Sequence, residues 1–186
     1  MYSCFVDKTT RINASRRVGV KDMNVKFTMS ILLIILSNSL AGCLSSDQNE
    51  SDRFPAFNLI DEQGNTQNQS MYENEPFVAY FSASWCSHCK PVLGSLDDIV
   101  PEGQLAVFNI ESREQYSDMS EWKDRMESEL ERDLSHPFIH APPLAQSLEV
   151  SQIPTVFFVN SDGEIVHSPS GLTDKSILED YWNSVS

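Results

Sequence analysis

From residue 54 onward, fully apolar runs alternate with segments whose apolar residues recur at helical spacing. Phe54-Pro55-Ala56-Phe57-Asn58-Leu59-Ile60 partly alternates and then meets Asp61-Glu62-Gln63-Gly64-Asn65, which predicts a small hairpin. Phe77-Val78-Ala79-Tyr80-Phe81 is apolar throughout, the pattern of a strand buried on both faces. Residues 90–100 place Val92, Leu93, Leu96, Ile99 and Val100 on the inner side of a helix, and Pro101-Glu102-Gly103 stops it. Leu105-Ala106-Val107-Phe108-Asn109-Ile110 reads as a second buried, parallel strand. Tyr116, Met119, Trp122, Met126, Leu130 and Leu134 recur at three- and four-residue steps, predicting an amphipathic helix over 117–134. Asp118 and Glu121 form its expected capping box, and Glu121, Asp124, Arg125, Glu129 and Arg132 its solvated face. A short helix is expected over 143–148. A strand at 156–159, a turn at Asn160-Ser161-Asp162-Gly163, a returning strand at 164–167 and a last helix over 173–185 complete the order. That order is hairpin, β-α-β-α, β-β-α, in one α/β domain.

The chain before residue 54 has another character. Lys21 and Lys26 precede a short apolar run at 29–42, the n-region and h-region of a secretory signal. The run is shorter than the roughly 20 apolar residues of a membrane span. It ends in Leu40-Ala41-Gly42-Cys43, which resembles the lipobox of prokaryotic lipoproteins. The resemblance implies a Cys43 lipidated on its thiol and cleavage just before it. The expected division is a signal peptide over 1–42 (with Met23 a plausible start), a lipidated Cys43 and polar tether over 43–53, and a folded domain over 54–186. The folded part is then expected on the extracytoplasmic side, held to the cell membrane by lipid. An ordinary signal peptide or an uncleaved anchor would also put it outside the cytoplasm.

The net charge of −14 is uneven. Residues 1–42 carry 6 basic and 2 acidic residues, or +4; residues 43–186 carry 7 and 25, or −18. A body this acidic argues against binding nucleic acid or an anionic membrane surface by charge.

Chemistry concentrates at Cys86-Ser87-His88-Cys89, between the apolar run and the helix at 90–100. A strand, a sharp turn and a helix put Cys86 at a helix N-terminus, where unpaired N–H groups favour negative charge. A thiolate is the nucleophile of disulfide exchange, and a second thiol one turn later can resolve the mixed disulfide. A hydrogen bond or positive charge from His88 would favour the reduced form and make the disulfide a stronger oxidant.

Trp85-Cys86-Ser87-His88-Cys89-Lys90 resembles the active segment of the thioredoxin superfamily, and Ile153-Pro154-Thr155 its cis-proline loop. The leading hairpin, the helix over 117–134 and the run 153–163 resemble the membrane-tethered thiol-disulfide oxidoreductases of the TlpA/ResA type. The resemblance implies a thioredoxin-like fold: a central mixed sheet flanked by helices, with an N-terminal hairpin and one inserted helix. It implies that Cys86 attacks, that Cys89 resolves, and that the pair needs no added cofactor. It also implies a cis Pro154 beside the pair, with Ile153 offering its backbone to an extended substrate. Trp85, Ser87 and His88 would tune the potential. Expected partners are protein thiols and disulfides, and a membrane electron donor or thiol-disulfide partner.

Two positions depart from the pattern. Thioredoxins usually carry a buried Asp where this chain has Tyr80, and ResA-type enzymes a Glu where it has Val92. Water or the Tyr80 hydroxyl is left to take the Cys89 proton. The competing reading is a non-enzymatic binding module, or a Cu(I) metallochaperone using Cys86, Cys89 and a His. Haem attachment needs a His where Lys90 stands, and a structural zinc site needs four ligands. His136, His140 and His167 are expected in loops or at the surface rather than as ligands.

Overall fold

The computed structural model describes residues 52–186; the expected signal peptide, the lipobox-like segment and Cys43 lie outside the described residues. Strand β3, Phe77–Ser82, is buried at all six positions, as its unbroken apolar run predicts. A separate two-stranded hairpin, β1 (Asn58–Ile60) and β2 (Thr66–Asn68), precedes it. β4 (Leu105–Asn109) lies parallel to β3, and β6 (Thr155–Val159) antiparallel on its other side. β5 (Phe138–His140) and β7 (Ile165–His167) form the edges, giving the order β5-β4-β3-β6-β7.

Side chains alternate across a strand, so the central strands supply two core layers. Val78, Tyr80, Leu105, Val107, Val156 and Phe158 face one side. They pack against Leu93 and Leu96 of α1 (Lys90–Ile99), Trp122 of α2 (Met119–Leu130), and Leu178 and Trp182 of α4 (Lys175–Val185). Phe77, Ala79, Phe81, Phe108 and Phe157 face the other side, covered by Phe54, Phe57, Tyr72 and Leu144 of α3 (Pro142–Ser147). Aromatic rings fill this second layer: Tyr72 stacks on Phe77 at 4.5 Å, and Phe57 meets Phe108 edge-on at 5.4 Å.

Three details differ from the sequence reading. β5 was not predicted; three residues between Pro137 and Ala141 are too few to show a period. The helix expected from residue 117 starts as a single 3-10 turn, Tyr116–Asp118. Its capping box pairs Gln115 with Asp118, and the Gln115 N–H donates to the Asp118 carboxylate at 2.8 Å. α2 then stops at Leu130, because Glu131 takes the left-handed backbone conformation (φ 56°).

Nor is the polar face of α2 and its following loop simply solvated. Lys123 pairs with Glu62 at 2.6 Å, with both side chains largely buried. The other Glu62 oxygen accepts the Phe138 N–H at 2.8 Å, and Lys123 donates to the His136 carbonyl. This pair ties the hairpin to α2 and to edge strand β5. Arg132 reaches α1, at 2.9 Å from Asp97 and 2.5 Å from Asp98. His136 is in a loop but not at the surface: it is 2 % exposed, with Nε2 3.0 Å from Asp97. Burial pushes its pKa down against the pull of Asp97. His140 lies in β5 and His167 in β7, stacked on Tyr181.

Breaking a buried pair strands its partner's charge. Lys123→Met should therefore destabilise the fold by about 3–5 kcal/mol, read as a lower urea midpoint at unchanged slope. A loss within about 1 kcal/mol would mean that the pair is solvated like a surface pair.

Candidate redox site

β3 delivers the cysteines. Its last ladder residue, Ser82, is followed by Ala83 and a turn: the Cys86 N–H donates to the Ala83 carbonyl at 3.1 Å. A second such turn closes from the Cys89 N–H to the Cys86 carbonyl, also at 3.1 Å. Cys86 and Cys89 are joined in a disulfide with their Cα atoms 5.4 Å apart. Helix α1 proper begins only at Lys90, with Cys89 as its N-cap. Cys86 thus stands one turn outside the helix. Dipole stabilisation fades beyond the first turn, so the helix holds a thiolate there less firmly than the sequence reading assumed.

The two sulfurs are unequal. Cys89 is 3 % exposed and sits in the helix-side core with Val92, Leu93 and Tyr80. Cys86 is partly exposed at the rim of that core. Only Cys86 is open to an incoming disulfide. Ser87 and His88 are exposed between them, and the His88 side chain makes no hydrogen bond among the described residues.

The Ile153–Pro154 peptide is cis. Thr155 opens β6 opposite Phe81, so Pro154 lies at the end of the sheet from which the cysteine loop departs. The Pro154 carbonyl accepts the Gly171 N–H at 2.7 Å, pinning the loop. Ile153 precedes the ladder, which leaves its backbone groups outside the β3–β6 pairing.

The Tyr80 hydroxyl reaches Cys89 but donates to its carbonyl, at 2.8 Å. Burial pushes its pKa well up, so it remains a neutral phenol. It fixes the start of α1 and supplies no base.

The residues after β4 brace the cysteine loop, which the sequence reading did not foresee. The Ser84 hydroxyl donates to one Glu114 oxygen, and Asn109 donates to the other at 2.6 Å. The Ser84 carbonyl accepts from Arg125 of α2 at 2.8 Å. Trp85 is 61 % exposed, with its indole N–H donating to Glu111 at 3.0 Å. Lys90 pairs with Glu129 of α2 at 3.3 Å. The only sequence sign of this brace is Glu111-Ser112-Arg113-Glu114 directly after a buried strand, a position that also suits an ordinary surface turn.

A mixed five-stranded sheet between helices, with a Cys-x-x-Cys turn leaving its central strand and a cis proline at the same end, is a thioredoxin fold with a redox-type cysteine pair. The chain belongs to the AhpC/TSA family, whose sequence profile matches residues 51–168. Among curated proteins none matches the sequence. Similar solved structures include a thioredoxin-family thiol:disulfide interchange protein from Chlorobium tepidum (15 % identity, 72 % of this chain and 95 % of that one, TM-score 0.60). Another is the pneumococcal exposed lipoprotein thioredoxin from Streptococcus pneumoniae (23 % identity, 69 % and 99 % coverage, TM-score 0.54). A third is StoA from Bacillus subtilis (21 % identity, 69 % and 96 % coverage, TM-score 0.52). At these identities the likeness is one of fold.

Arg113, through its side chain and then its N–H, and Trp85 hold the Glu111 carboxyl down at about 2, against an ordinary 4.5. A carboxyl lowered on folding stabilises the protein above its unfolded pKa and loses that contribution as pH falls through the folded value. Glu111→Gln should therefore lower the thermal midpoint at neutral pH, and the difference from wild type should close between about pH 4.5 and pH 2. A difference that persists unchanged at pH 2 would show that the carboxylate charge is not what holds Trp85.

Proposed function

We propose that this protein is an extracytoplasmic, lipid-anchored thiol-disulfide oxidoreductase that exchanges disulfides with protein substrates. One observation carries the reading: a half-exposed Cys86 is disulfide-bonded to a buried Cys89 at the sheet end that also holds the cis Ile153–Pro154 peptide. The family and the fold support it, and the Chlorobium structure is that of a thiol:disulfide interchange protein.

Working as a reductant, the Cys86 thiolate attacks one sulfur of a substrate disulfide. That S–S bond breaks, its electron pair leaves on the far sulfur, and a Cys86–substrate bond forms. Cys89, deprotonated, attacks the Cys86 sulfur and releases the second substrate thiolate. The substrate gains two electrons and, at neutral pH, two protons; the pair loses two electrons and the Cys89 proton, the second proton comes from solvent, and the pair becomes the observed disulfide. The reverse sequence oxidises a substrate dithiol. Ile153 offers free backbone groups to an extended substrate segment, beside a proline that has no N–H to interfere.

The anchor rests on Leu40-Ala41-Gly42-Cys43 after its apolar run, and on the likeness to a pneumococcal protein that is itself an exposed lipoprotein. A membrane electron donor or thiol-disulfide partner fits such a position, because a tethered domain meets other membrane proteins at high effective concentration.

The test is the equilibrium potential of the Cys86–Cys89 pair against glutathione. A value near −270 mV indicates a reductase fed by a donor, and one near −120 to −180 mV an oxidant or isomerase, on the roughly known scale of such pairs. Cys86→Ser should abolish exchange, and Cys89→Ser should trap a mixed disulfide with substrate. A pair that shows no reversible potential would sink the reading in favour of a binding module.

A further inference from the structure

All seven basic residues beyond residue 42 lie among the described residues. Five of them are ion-paired: Lys90 to Glu129, Arg113 to Glu111, Lys123 to Glu62, Arg132 to Asp97 and Asp98, and Lys175 to Asp98. In a body of net charge −18 that is the expected outcome, since a carboxylate lies within reach of most cations. Of the other two, Arg53 sits at the far end of the sheet, next to the turn that follows Val159.

Arg125 is at the redox end. Among the described residues it has no carboxylate within ion-pair distance, and its guanidinium donates to the Ser84 carbonyl, two residues before Cys86. It also lines a 170 Å³ cavity between the cysteine loop and α2, with Trp85, Cys86, Lys90, Met126 and Glu129. A space of that size holds about one side chain, so its walls interact at a range comparable to the roughly 8 Å screening length of physiological salt.

We infer that Arg125 is a positioning residue for the nucleophile: it fixes the cysteine loop through the Ser84 carbonyl and places a positive charge held in no ion pair across the cavity from Cys86, stabilising the thiolate. The inference rests on the oxidoreductase reading and adds to it. Cys86 stands one turn outside α1, so the dipole acts on it at a distance, and α2 contributes the charge that the helix end supplies less well. The other charged or titratable groups around the sulfur are known. Lys90 on α1 is tied to Glu129 of α2, Glu111 to Arg113, and Glu114 to Ser84 and Asn109, while His88 is exposed in the turn. Glu114, Asp118 and Glu121 share a second cavity with Arg125, but none lies within ion-pair distance of it, so among the described residues Arg125 is the cation of this group without an ion pair.

The experiment follows alkylation of Cys86 by iodoacetamide against pH, in the reduced full-length protein in detergent, with the site read by peptide mass. Arg125→Gln should move the midpoint up by about 0.5–1 pH unit. At neutral pH the alkylation rate should then fall roughly three- to tenfold, in proportion to the lost thiolate. Arg125→Lys keeps the charge and should restore most of the shift, which a purely structural role would not predict. Thermal unfolding of the oxidised variants reports on folding. Should Arg125→Gln not fold, Arg125→Met retains an apolar stem and gives the same readout. Gln and Met variants with the wild-type midpoint, or a Lys variant shifted as far as Gln, would overturn the inference. Neither result touches the proposed function, which instead fails if the wild-type pair has no reversible potential.

Discussion

Strand β3 is buried at every position, and the rest of the molecule is arranged around that constraint. A strand buried on both faces must be paired along both edges and covered by two layers, since each unpaired buried backbone group is costly. β4 and β6 satisfy its hydrogen bonds, the helices cover one face, and the aromatic cluster under Phe54 and Phe57 covers the other. Its C-terminal end is therefore one of the most firmly held points in the chain. The cysteine loop leaves from that end, so the reactive sulfur inherits a fixed position while lying at the rim of the core.

Holding the loop beyond that point takes polar contacts rather than burial. Ser84 is gripped from two sides, its hydroxyl by Glu114 and its carbonyl by Arg125. Trp85, largely exposed, gains orientation from Glu111, which is itself held by Arg113. Such charge-assisted contacts are stronger than neutral ones and directional. They come from the segment after β4 and from α2, so these elements shape the redox end as well as closing the core.

How much of this was legible in the sequence follows from the kind of signal each part leaves. The buried strands and the helices facing the core repeat with a period and were readable, as was the hairpin around Asp61-Glu62-Gln63-Gly64-Asn65. β5 was not, because a three-residue edge strand has no period of its own. The cysteines and Ile153-Pro154-Thr155 could be picked out because their chemistry depends on local spacing. The contacts of Arg125, Glu114 and Lys123 could not. Each joins residues 5 to 61 positions apart, and a charged residue on a helix looks the same in sequence whether it meets water or a carbonyl. His136 shows the same limit, being a loop histidine buried against Asp97.

The substitution of Tyr80 for a carboxylate links these strands of argument. A buried carboxylate beside Cys89 would accept its proton, but would cost stability in an apolar layer unless paired. Tyr80 fills that layer with a ring and spends its one donor on the Cys89 carbonyl. The site thereby gains a well-packed, firmly placed Cys89 and loses a nearby base. The two cysteines are thus differentiated by their surroundings alone: Cys86 borders solvent and a cavity shared with Arg125 and the Lys90–Glu129 pair, and Cys89 faces Val92, Leu93 and a neutral phenol. In the function proposed above, that contrast assigns attack to Cys86 and resolution to Cys89.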